Sequence, residues 1–422
     1  MSDADEMLAE RLLLAVLGVL IIRVAVSLWR VAAAVETVLG TLPTVLTTAL
    51  GVQMLVFAVV GYDLERHGRS IGYATVGTLT GMTLIAAAVT SEAWIPQINT
   101  DAAAFLAHGL ALLRQGTNPM AADMTPALSS VATEFWTRRV DGSRVVAWSY
   151  PAGMIATYIP QWLLLGQTAA GYRLTTISMT GLLGVAGVRS MPQRFAIVVP
   201  IAMLGIENLW RTAAGGVLDA VWAFPLLIGV VSWARGDWWL AGIFVGIACG
   251  VKQLIWPMLP FLLIWVIRTS DSPRAFARRA GKLNVGGMVG FLVVAQNAVF
   301  IWWDPSAWWS SVMTPLGAGG APLQSIGLGL AVVEQFSPAT VAPSTWTLLL
   351  GGALTVACIA YYHFFEYRHV RWSAWILPMA LWVFHSRSLT NYFTWLSVIA
   401  VVVIAASVGE LRGQEVKRPC AE

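Results

Sequence analysis

Charge is scarce in this chain. Asp, Glu, Lys and Arg make up 11% of its 422 residues, where an average soluble domain carries roughly 25%. That shortage excludes a soluble globular enzyme and a disordered protein. Cysteine is scarcer still. Cys249, Cys358 and Cys420 are the only three, too few and too scattered for a disulfide framework or a Cys-rich zinc site. There is no Lys/Arg-rich soluble domain, so nucleic acid is a poor candidate partner. The N-terminus is acidic (Asp3, Asp5, Glu6, Glu10), so no cleavable leader is expected there. Neither an internal repeat nor a low-complexity tract is visible.

What fills the chain is apolar: 57% is AVILMFWYC, 21 residues are Trp, and the mean hydropathy is +0.70. These values describe an integral membrane protein. Its apolar runs are continuous rather than alternating, so the spanning elements are helices, not barrel strands. The runs predict twelve spans (range 11–13) at about 12–32, 41–61, 71–91, 174–188, 195–209, 217–233, 238–251, 253–267, 283–303, 344–365, 372–386 and 391–409. Several are shorter than the roughly 20 residues of a full crossing, so tilts, extensions or breaks are expected. The fold class is therefore all-α and polytopic, one membrane domain over 1–422 in a cell membrane.

The net charge of +4 matters less than its distribution. Arg268, Arg274, Arg278, Arg279 and Lys282 crowd one loop against Asp271 alone, which reads as cytoplasmic. Arg66 and Arg69, Arg189 and Arg194, Arg368 and Arg371, and Lys417 with Arg418 agree with it if both termini lie inside. Segments 92–173 and 304–343 then face outward. The uncharged stretch 145–172 conflicts with this order if it crosses. Pro151 and Pro160 would interrupt a straight span, so 151–168 is expected in the outer leaflet or as a half-membrane element, with a shifted topology as the alternative.

The loop after the third span is the most informative. Thr100 or Asn99 can cap a helix that Gly116 closes, and Phe105, Leu106, Gly109, Leu110 and Leu113 recur along it at helical spacing. A short outward amphipathic helix in the membrane interface is predicted. Asp101 sits in its first turn, where the helix dipole favours an ionised carboxylate; it is either a plain surface cap or a working group. Further on, Arg138, Arg139 and Arg144 stand in an outward loop against the positive-inside trend, as a solvated turn or as an anion site.

Several features in order resemble the GT-C superfamily of polytopic glycosyltransferases, most closely its α-mannosyltransferase-like branch that uses polyprenyl-phosphate sugars. Thr100-Asp101 followed by Gly116-Thr117-Asn118-Pro119 is similar to that branch's outward loop, with Met120 where Tyr is common. Tyr150-Pro151 resembles its Tyr-Pro-Pro, with Ala152 in place of the second Pro. Asp219 at a span end, the hairpin Gly246-to-Lys252-to-Pro257, and His385-Ser386-Arg387 with Asn391-Tyr392-Phe393 complete the set over about residues 95–395. The family usually needs a single span before its catalytic Asp, so 1–70 looks like an N-terminal helix addition.

The resemblance implies transfer of a sugar, mannose favoured, from a polyprenyl-phosphate donor to a glycolipid, polysaccharide or glycoprotein glycan. Segment 92–173 would be the outward catalytic loop and 304–343 a second outward loop. Asp101 would be the catalytic carboxylate. Lys252, Arg387, His385 and Arg144 would hold the donor phosphate, and Asp219, Asn118, Tyr150, Asn391 and Tyr392 would line the substrate pocket. Each has a plainer alternative: snorkelling for Lys252 and Arg387, belt packing for Tyr392 and His385, and for Asp219 a helix-start carboxylate, set against contact with Lys252, Arg211 or a sugar hydroxyl. Trp302, Trp303, Trp308 and Trp309 around Asp304 read as an interfacial anchor, or as a stacking surface. No Asp-x-Asp lies in the loop, so no metal and no cofactor is expected, though a divalent ion stays open. Arg23, inside the first span, needs a partner. A flippase for lipid-linked sugars, or another membrane transporter, is the alternative reading.

Overall fold

A computed structural model describes residues 3–35, 38–90, 100–129, 136–139, 141–166, 169–205, 208–268, 273–316, 343–364, 371–376, 378 and 390–416. Among these the regular structure is helical, apart from one isolated antiparallel bridge between Arg138 and Arg144. Four helices carry stretches long and apolar enough to cross a membrane: Asp5–Leu28, Thr41–Val60, Leu64–Ala88 and Asn284–Trp303. The first three belong to α1 (Asp3–Val35), α2 (Val38–Val60) and α3 (Leu64–Thr90).

Two glycines make α1 and α2 a close pair. A Cβ on Gly18 would lie 2.9 Å from the Gly51 carbonyl, so the backbones meet where neither carries a side chain. The pair is fastened to the rest of the bundle by charge. Arg194 reaches Glu6 and Glu10 at 2.8 Å each. Higher along α1, Arg23 donates to the Leu204 carbonyl, which supplies the partner its place in a span demands.

The remaining helices vary in length. They are α4 (Asp101–Arg114), α5 (Thr125–Leu128), α6 (Gly153–Leu165), α7 (Ala169–Ser190), α8 (Val198–Gly205), α9 (Leu209–Ala214), α10 (Ala220–Arg235), α11 (Trp238–Val251), α12 (Leu259–Arg268), α13 (Pro273–Trp303), α14 (Pro305–Met313), α15 (Pro343–Phe364) and α16 (Thr390–Val416). Helix α7 runs antiparallel to α3, with Gly181 against Thr80 and Gly184 against Val76. Gly68 of α3 lies against the Gln193 carbonyl. The bundle thus has one end at Gly68, Arg194 and Glu10. The other, here the site end, carries the starts of α4, α7 and α10.

Three expected spans are not continuous helices. The run 195–209 is divided between α8 and α9, and Asn208 caps α9 by accepting from the Trp210 and Arg211 amides. An amide capping side chain offers the backbone an alternative to continuing the helix. The run 253–267 opens as a 3₁₀ turn, Gln253–Met258, and becomes α-helical only after Pro257. The run 372–386 begins as a 3₁₀ turn, Arg371–Trp375, and its later part lies outside the described residues. Segment 151–168 contains α6, whose 13 residues extend about 20 Å. That is less than the roughly 30 Å of a hydrocarbon core, so α6 is too short to cross by itself.

The core is aromatic as well as aliphatic. Trp233 meets Trp238, Trp265 and Trp375 edge-on at 5.1 to 5.6 Å, an arrangement the ring quadrupoles favour. Trp302, Trp303 and Trp309 are exposed, as an interfacial anchor requires. Trp308 differs: its indole donates to Asn297 Oδ1 at 2.8 Å.

Candidate active site

Helix α4 begins where the sequence places it. Thr100 is its N-cap, accepting from the Ala103 amide at 3.2 Å, and Gly116 closes it at φ +73°. Its apolar face is covered by protein. Phe105, Leu106, Gly109 and Leu110 are buried, and the Trp148 ring lies against Gly109. The Thr100 hydroxyl also donates to the Gly216 carbonyl at 3.0 Å. Gly216, at φ +85°, turns the chain between α9 and α10, so Asp101 and Asp219 lie on adjoining segments.

The two carboxylates are held differently. Asp101 is 9% exposed, and its Oδ2 accepts from the Thr137 amide at 2.7 Å; among the described residues it has no cation. Asp219 is 2% exposed and binds Lys252 as a buried ion pair. Its Oδ1 also takes the Trp222 indole N–H at 2.7 Å. Asp219 stands at the N-cap position of α10, as a helix-start carboxylate would, but makes no side-chain cap bond there and pairs with Lys252 instead.

Lys252 ends α11 in an extended conformation, where the helix hands over to the 3₁₀ turn. Its ammonium stands 4.5 Å from the Tyr392 ring centre and 5.7 Å from that of Tyr150. Ring faces attract a cation at such distances. One ammonium N–H serves Asp219; two more donors stay available to a ligand.

Amides brace this corner. Gln253 Nε2 donates to the Ser149 and Val312 carbonyls at 2.9 and 3.1 Å. Asn297 Oδ1 accepts from the Ala152 amide at 2.7 Å. At Gly153 the start of α6 crosses the end of α11 so closely that a Cβ would lie 2.3 Å from the Gly250 carbonyl.

The remaining expected residues are more dispersed. Asn118 is buried; its Oδ1 accepts from the Met120 amide, and its Nδ2 has no partner among the described residues. Arg144 is exposed and stacks 4.0 Å over the Trp136 ring, next in sequence to Thr137. Helix α16 carries Asn391 in its first turn, but that side chain lies outside the described residues, as do His385 and Arg387 entirely. In the same loop the Thr125 hydroxyl and amide lower the Asp123 pKa, and those of Ser143 lower Asp141 in the same way.

Sequence reading missed Thr137, Trp222 and Arg173. A backbone amide carries no sequence signal. Trp222 looked like one more apolar span residue, and Arg173 fell one position outside the span drawn from 174. Among the described residues no group of three or more His, Cys, Asp or Glu could hold a metal ion.

The arrangement offers an uncompensated buried carboxylate beside a neutralised ion pair flanked by aromatic faces. A wide groove lies below it. Trp256 and Leu259 line its near part, Val245, Gly286, Gly290 and Val293 its walls, and its volume is about 620 Å³. No protein-family model, curated protein or solved structure matches this chain.

Proposed function

We propose that this protein is a membrane glycosyltransferase of the GT-C type. In this reading it moves a sugar, mannose favoured, from a polyprenyl-phosphate carrier to a glycolipid, polysaccharide or glycoprotein glycan on the outer face of a cell membrane. The observation that carries the reading is Asp101: a buried carboxylate, oriented by one backbone amide and, among the described residues, without a cation to quench it.

The chemistry needs a base near an acceptor hydroxyl and stabilisation of a departing phosphate. Asp101 takes the hydroxyl proton. The acceptor oxygen then forms its bond to the anomeric carbon. The bond from that carbon to the phosphate oxygen breaks, and the carrier phosphate leaves with the electron pair. Lys252 stabilises that leaving charge with its two remaining N–H groups, while Asp219 holds it in place. Tyr150 and Tyr392 wall the sugar pocket, and the apolar groove takes the carrier's hydrocarbon chain.

The test is sugar transfer by purified protein given polyprenyl-phosphate-mannose and a membrane lipid extract, with Asp101→Ala and EDTA-treated samples in parallel. Product in the wild type that persists in EDTA and vanishes in Asp101→Ala supports a metal-independent transferase. Full activity in Asp101→Ala removes the base assignment. No product across a panel of lipid-linked sugars shifts the reading to a flippase. That second reading draws on Arg23 at the break between α8 and α9, since transporters build sites at interrupted helices.

A further inference from the structure

Three cations are buried deeply among the described residues: Lys252, Arg139 and Arg173. Lys252 is paired with Asp219, and Arg139 is also engaged. Arg173 is 4% exposed, and among the described residues it has neither a hydrogen bond nor an ion pair. A buried guanidinium without an anion is strongly unfavourable.

Its place on the helix is an inward one. Residues four and seven positions along a helix share a face. Ile177 and Thr180, on the face of Arg173, are both 0% exposed, whereas the next residue, Leu174, is 42% exposed. The arginine therefore lies on the inward face of α7, in its first turns at the site end.

Two donors at the contact between α6 and the start of α7 also lack acceptors. Among the described residues the Tyr172 hydroxyl is buried without a partner, and so is Gln161 Nε2, although Gln161 Oε1 accepts from Thr175 at 3.0 Å. Buried donors ordinarily find acceptors. Among the described residues no anion is paired with Arg173 or with either of these donors.

We infer that Arg173 binds the phosphate of an anionic lipid at the site end. Under the transferase reading, on which only the identity of that lipid rests, it is the donor's phosphate. The Asp219–Lys252 pair is already neutral, so Arg173 supplies the net positive charge that a departing phosphate needs. An arginine suits the task because its planar fork matches two phosphate oxygens.

The experiment is thermal unfolding of the full chain in an uncharged detergent, with farnesyl phosphate, farnesol, phosphatidylglycerol or inorganic phosphate added. Wild type is expected to gain midpoint temperature with farnesyl phosphate and not with farnesol. Arg173→Gln is expected to be at least as stable as wild type without ligand, and to bind farnesyl phosphate at least tenfold more weakly. An equal response to phosphatidylglycerol, lost in Arg173→Gln, supports the anion site and identifies a phospholipid headgroup as its source. Equal responses to farnesyl phosphate and farnesol overturn the inference, as does an undiminished phosphate response in Arg173→Gln. If that variant does not fold, Arg173→Lys decides: it keeps the charge but loses the fork, and unchanged affinity overturns the assignment. None of these readouts needs turnover. Absent sugar transfer leaves them standing, and failed binding beside active transfer removes Arg173 alone.

Discussion

Asp219 and Lys252 lie 33 positions apart and meet as a buried ion pair where α10 starts and α11 ends. Removing one partner strands the other charge. Asp219→Asn and Lys252→Met are each expected to destabilise the protein by about 3–5 kcal/mol, whereas the double variant recovers much of the loss. Thermal unfolding of the three variants measures the coupling. Additive losses would show that the two side chains do not depend on each other.

Asp101 is oriented by a bond that no side-chain substitution at its partner removes. Thr137→Pro deletes the amide donor itself. Transfer is expected to fall by about 100-fold, as for a reacting group displaced by roughly an ångström. Thr137→Ala keeps the amide and is expected to retain activity. Similar rates for the Pro and Ala variants would remove the amide from the mechanism.

Gly286 and Gly290 line the apolar groove, and a Cβ at either would meet open space. Gly290→Leu therefore fills the groove without forcing the backbone. KM is expected to rise for long-chain prenyl donors and to stay unchanged for short ones, at an unchanged unfolding temperature. An equal effect on both donor lengths would place the chain elsewhere.

Asp141 accepts from both the hydroxyl and the amide of Ser143 at 2.7 and 2.9 Å, which lowers its pKa below the ordinary 3.8. A carboxyl group lowered in the folded state contributes stability above its unfolded pKa and loses it as pH falls through the folded value. Hydrogen exchange in the turn around Gly142 is expected to stay slow at pH 5 and to quicken below the ordinary carboxylate range. Asp141→Asn should make exchange faster at pH 5 and abolish the acid dependence, apart from the intrinsic pH effect on exchange.

Local signals were the legible ones. Thr100, the apolar spacing of α4 and Gly116 marked both ends of that helix, because caps act within a turn. Contact between Asp219 and Lys252 was among the options for Asp219, since both stand at span ends. The division of α8 from α9 was hidden in an apolar run. Its trace is the pair Glu207-Asn208 inside that run, since Asn is a strong N-cap. Arg173 was hidden by position: a basic residue beside a span edge is indistinguishable by hydropathy from one at the headgroups, and only tertiary packing turns it inward.

The fastening of α1 has a mechanical meaning. Glu10 and Arg23 are its two attachment points, 13 residues and about 20 Å apart along one rod. A single attachment would let the rod swivel; two along its length fix both its tilt and its slide against α8. The α1–α2 pair, which the sequence presents as an accessory, is thus a splint laid along α8, from Arg194 just before that helix to Leu204 near its end.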